Sequence, residues 1–103
     1  MRIELRSRTA RNGGEVRAEL ERRIRFALGR FQNRIRAVTV RLTDANGPRG
    51  GVDQECRISV DAGDRSPIVI LERHHDPRAA VALAADRAAR AVARHIRLHA
   101  AVR

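Results

Sequence analysis

A chain of 103 residues and 11.5 kDa has room for one domain with a modest two-layer core and none for a second. Its 22 basic residues, every one an Arg, stand against 12 acidic ones, and the net charge of +10 creates a long-range field that attracts polyanions, nucleic acid foremost. A single Cys excludes an internal disulfide, no apolar run approaches the ~20 residues of a membrane span, and two Phe without Trp or Tyr remove the usual stacking platform for single-stranded bases.

The absence of Lys in an Ala-rich chain is what compositional drift produces. Drift accounts for the identity of the base, while the excess of base over acid is left for a binding function. The lone Cys and the lack of a signal-peptide-like amino terminus lead us to expect a cytoplasmic protein.

In chain order, Arg2 to Arg6 alternates with Ile3 and Leu5 on one side, a short strand with the length of an edge. From Glu15 the period changes. Val16, Leu20, Ile24, Ala27, Leu28 and Phe31 recur every three to four residues, and Ile35 continues the stripe, which predicts an amphipathic helix of about five turns. Acidic Glu15, Glu19 and Glu21 near its start and Arg30 and Arg34 near its end match the sign of the helix dipole. Arg22 to Thr43 holds seven Arg and no acidic residue, the densest basic run in the chain.

Val38, Val40 and Leu42, then Cys56, Ile58 and Val60, alternate with polar residues and predict a hairpin with one face on a core. Cys56 falls on that inward side and is expected to be a buried hydrophobe without redox chemistry. The connector, Asp44 to Asp53, carries three of the seven Gly and one Pro, so it reads as a shaped excursion with Asp44 and Asp53 capping turns and Arg49 at its tip. Arg49 is either solvated surface or a phosphate contact. Pro67 to Glu72 is a further strand, whose run of four apolar residues suits a sheet with a second face that is not wholly polar.

Asp76 and Pro77 are suited to the N-cap and first position of a long Ala-rich helix. On a helical wheel Val81, Ala84, Ala85, Ala88, Val92, His95, Ile96 and His99 share one broad face, and Arg87, Arg90, Arg94 and Arg97 form a stripe on the other. Such a stripe is a solvated face or a binding surface. The order strand, helix, strand, strand, strand, helix predicts an α+β fold over residues 1–103, a β-α-β-β-β-α two-layer sandwich whose four-stranded sheet carries both helices on one face.

Reaction chemistry is poorly supplied. His95 and His99 have the i, i+4 spacing of helical metal ligands, yet no Cys or carboxylate stands beside them in sequence, and we expect no metal site. No phosphate-cradling glycine loop is present. Neither an enzyme, a cofactor nor a small-molecule substrate is expected.

The last helix nonetheless carries a resemblance. Asp76, Ala79, Ala80 and Val81, Asp86 and Arg87, Arg90, Val92 and Arg94 match in spacing the Asp, Ala-Ala-Ile, Asp-Lys, Arg, Leu and Lys of the ribosome hibernation-promoting factors, also described as the ribosome-associated inhibitor or sigma-54 modulation family. The whole chain resembles a short, divergent member, whose fold is similar to a double-stranded-RNA-binding domain. The resemblance implies binding of 16S rRNA in the decoding region of the small ribosomal subunit and silencing of idle bacterial ribosomes, as in a stress response. It assigns the rRNA-facing role to Arg87, Arg90 and Arg94. Arg22, Arg23, Arg30 and Arg34 match by face and charge, and Arg97, Arg41 and Arg49 complete the candidate RNA-binding set. The long form's carboxy-terminal dimerisation domain is not in this sequence, so a monomer is expected when free. The competing reading is a basic regulatory module that docks on an acidic protein and touches no RNA.

Overall fold

The alternation in the central hairpin holds residue by residue in the structure, a computed structural model that describes residues 1–7, 14–44, 53–64 and 66–101. Strands β2 (Ala37–Asp44) and β3 (Gln54–Asp61) pair antiparallel, with Val38 opposite Val60, Val40 opposite Ile58 and Leu42 opposite Cys56. All six side chains are fully buried. Strand β1 (Arg2–Ser7) lies parallel to β2, and β4 (Ile68–His74) runs antiparallel to β3, so the four-stranded sheet has the order β1-β2-β3-β4. The parallel pair needs a crossover, and helix α1 (Gly14–Leu28) provides it.

Both helices pack on the apolar face of the sheet, as the α+β order predicts. Leu20, Ile24 and Leu28 of α1 and Val81, Ala84, Ala88 and Val92 of α2 (Pro77–Ala101) join the hairpin residues in one core. Small Ala side chains on the buried side of α2 let its backbone come close to its neighbours, where longer side chains would overpack. Asp76 caps α2 as expected: its Oδ1 accepts the Arg78 N–H at 3.0 Å. No described helix is long and apolar enough to cross a membrane.

The predicted five turns of α1 are divided in two. The α-helix stops at Leu28, a 3-10 segment runs over Gly29–Arg34, and Ile35 is extended at φ −115, ψ 125. Gly29 weakens the α-helix at this point. The tighter 3-10 winding rotates the remaining residues relative to the α-helical stripe. Phe31 is consequently only partly buried, with the Arg30 guanidinium 4.7 Å from its ring centroid, while Ile35 still reaches the core.

Each edge strand receives a guanidinium from a helix on a main-chain carbonyl: Arg17 donates to Leu5 O, and Arg87 donates to Leu71 O at 2.9 Å. Occupying edge acceptors in this way blunts pairing with another chain.

Cys56 behaves as the small buried hydrophobe expected. Burial, and secondarily the Glu72 carboxylate, pushes its thiol up to about 12 from 9.0. The folded state thus holds a proton that the unfolded chain releases, so this group's stabilising contribution is complete below pH 9 and is lost as pH rises towards 12. The expected outcome is a thiol that resists a disulfide reagent at pH 8 in buffer and reacts fully in denaturant, with the urea midpoint falling as pH rises above about 9.

Candidate nucleic-acid interface

Nine of the ten Arg residues singled out from sequence lie among the described residues, and all nine are exposed; Arg49, with the 45–52 loop, lies outside them. The nine do not form one patch. They divide according to the element that carries each and the face that element leaves open.

Arg87, Arg90 and Arg94 stand on the side of α2 next to the β4 edge. With Ile70 and Ala91 they line a shallow groove of about 220 Å³. The 100° turn per residue makes this inevitable, since positions three, four and seven apart share a helical face. Arg87 is held by Glu72 at 2.9 Å as well as by Leu71 O, and Arg90 by Asp86 at 2.6 Å. Their side chains remain 46% and 67% exposed, so these pairs are worth little and can yield to a stronger anion. Arg94 has no ion-pair partner among the described residues. Arg97 extends the stripe along α2 beyond the groove.

Arg23 and Arg30 belong to a second place, the outer groove between the helices, about 360 Å³ in volume, where they face Ala82, Ala85, Asp86 and Ala89. Phe26 lies in the same groove and is 90% exposed. Arg22 lies in an adjoining hollow with Glu19, Arg23 and Phe26. Phe26 is not among the residues that the Arg pattern singles out. Its signal was present: it falls off the Leu20, Ile24, Leu28 stripe, so the helix turns it to solvent. Arg34 stands apart, at the end of the 3-10 segment, beside Asp64, His95 and His99.

Arg41 is on the opposite side of the molecule, on the open face of the sheet. Pairing register puts it between Arg6 of β1 and Arg57 of β3, with Leu71 of β4 completing the row. Neighbouring strands are ~4.8 Å apart, so three guanidinium stems stand side by side. Arg6 turns to Glu4 at 2.7 Å, while Arg41 and Arg57 have no ion-pair partner among the described residues. Like charges placed directly opposite are destabilising. This sheet row meets the α2 group at β4, because Arg87 bonds the carbonyl of Leu71, the last residue of the row. Replacing Arg57 by Thr is expected to leave stability unchanged or raise it by ~0.2–1 kcal/mol, read as a higher urea midpoint in low salt that disappears in high salt.

The same fold occurs in solved structures of other proteins. It is similar to that of the Thermus thermophilus Protein Y N-terminal domain, with a TM-score of 0.72 at 24% sequence identity over 92% of this chain and 99% of that one. The two share a fold. A ribosomal subunit interface protein from Coxiella burnetii is similar to the same degree, with a TM-score of 0.71 at 12% identity over 92% of this chain and 97% of that one. No family model matches the sequence, and no curated protein matches it.

Proposed function

We propose that this protein is a non-enzymatic binder of the small ribosomal subunit. It lies along the 16S rRNA backbone in the decoding region, where messenger and transfer RNA would otherwise sit, and inhibits translation or stabilises idle ribosomes. The observation that carries this reading is the Arg87–Arg90–Arg94 groove beside β4, on a fold similar to that of Protein Y and of a ribosomal subunit interface protein.

The chemistry supports it. A guanidinium offers a planar fork of donors that matches two phosphate oxygens at once, and it stays charged at every physiological pH. A stripe with turn-to-turn spacing on α2 presents several such forks along one line, and the net charge of +10 draws the polyanion in. Contacts of this kind hold the backbone and read its shape, with little selection for base sequence. They also release counterions, so affinity falls steeply with salt.

Crosslinking the protein to RNA in a cell lysate and identifying the attached RNA tests the reading. Enrichment of 16S rRNA, with the protein released from ribosomal fractions by nuclease and by salt, is the expected result. A protein partner retained after nuclease treatment, without 16S rRNA, sinks it and leaves the acidic-protein reading in its place.

A further inference from the structure

We propose that Asp64, His95 and His99 form a binding site for a divalent transition-metal ion of the zinc type. These three side chains are not among the groups proposed to hold RNA. Asp64 belongs to the turn between β3 and β4, and His95 and His99 to the last turns of α2, so only tertiary packing brings them together.

The donors already converge. His95 Nε2 is 2.5 Å and His99 Nε2 is 3.4 Å from the same atom, Asp64 Oδ2. All three ligand atoms lie within 4.8 Å of one another. Ligands at about 2.0–2.1 Å from a tetrahedral zinc are about 3.3 Å apart, so the His99 spacing fits and the His95 contact must open by less than about 1 Å. Asp64 sits in an exposed turn beside Gly63, which adopts φ 90.

Hydrogen bonding fixes the tautomer that metal binding needs. His99 Nδ1 is 2.9 Å from the His95 carbonyl oxygen, an atom that only accepts. The ring proton of neutral His99 is therefore on Nδ1, and its Nε2 lone pair faces a carboxylate oxygen that is also an acceptor. A positive charge between them satisfies both lone pairs, either as a proton on the ring or as a metal ion that displaces it. A second hydrogen bond that orients a ligating imidazole through its other nitrogen is the usual companion of a metal site. The rings of His95 and His99, with centroids 3.9 Å apart, present both Nε2 atoms to one carboxylate. Two imidazoles and one carboxylate are a donor set for zinc that leaves a fourth position open.

Arg34 lines the same hollow, of about 190 Å³, with Val92 and Ile96. Its charge works against a cation and in favour of an anion at the ion's open position. Bound metal would clip the β3–β4 turn to the carboxy-terminal end of α2.

Titrating the untagged full chain with Zn²⁺ by calorimetry, and with Co²⁺ by its visible absorption, tests the site. One equivalent is expected to bind and to raise Tm by several degrees. Asp64→Asn, His95→Gln and His99→Gln should each weaken binding at least about tenfold, Arg34→Gln should strengthen it, and His74→Ala with His75→Ala should leave it unchanged. The proposal is overturned if the wild-type chain shows no saturable binding, if binding survives the His99 and Asp64 substitutions, or if it is lost with His74 and His75.

Discussion

Replacing Arg87, Arg90 and Arg94 together by Glu is expected to abolish co-sedimentation with small ribosomal subunits. Each reversal changes the charge by two, so the net charge falls from +10 to +4, and the groove beside β4 changes sign. The fold should withstand the change. The new carboxylates at positions 87 and 90 would meet Glu72 and Asp86, but these are exposed pairs in which like charges cost a few tenths of a kcal/mol each. A milder Gln triple removes attraction without adding repulsion. For it, the slope of log affinity against log salt should become shallower by about 0.7–0.9 for each phosphate left without its Arg, so by roughly 2–3 in all. Ribosome association that persisted unchanged in both triples, with circular dichroism showing a native fold, would remove the α2 groove from the proposed interface.

The second large effect is on stability. Ile58→Ala should cost about 2–5 kcal/mol, because Ile58 is fully buried at the middle of β3, between Val40 and Ile70 on adjacent strands. Domains of this kind are stable by only ~5–15 kcal/mol, so a large share of the total is at stake. Each kcal/mol corresponds to a Tm loss of about 4–8 °C for a domain near this size. Arg57, one residue away and facing the other side of the sheet, supplies the internal comparison: its replacement by Thr should not lower Tm at all. A fall of less than about 1 kcal/mol for Ile58→Ala in a denaturant titration would mean that the hairpin is not the floor of the core.

That contrast between adjacent residues also explains why the fold was legible. In a strand the side-chain period is two, so the pattern Val38, Val40, Leu42 and Cys56, Ile58, Val60 specifies face and register together. The same local logic covers the start of α2, since a cap depends on Asp76, Pro77 and the next residues alone. It failed over the end of α1. A 3.6-residue stripe persists through Phe31 and Ile35, but Gly29 and the burial of Ile35 in an extended conformation favour a 3-10 ending that periodicity alone does not distinguish.

The candidate site was legible in part. The α2 stripe follows from helical spacing. Its division from Arg23 and Arg30, from Arg34, and from Arg41 does not, because each belongs to a different element and nothing local says which faces will adjoin. The Arg6–Arg41–Arg57 row was within reach once the hairpin register was assumed, since Val40 opposite Ile58 places Arg41 opposite Arg57. The exposed position of Phe26 was also readable from the α1 wheel, and it sets one aromatic ring beside Arg23 and Arg30 in a chain without Trp or Tyr.

By itself, then, the sequence determined the element order, the inward faces of β1, β2 and β3, the cap of α2, the excess of positive charge and the Arg stripe, which follow from composition or from residues near one another in the chain, whereas the apolar run of β4 did not say that Ile70 alone would be buried. Only the tertiary structure decided which charges share a surface, how the sheet row meets α2 at Leu71, and that the carboxylate absent beside His95 and His99 in sequence arrives from the β3–β4 turn as Asp64. Those are relations between distant segments, set by how the sheet and helices pack, and no local period encodes them.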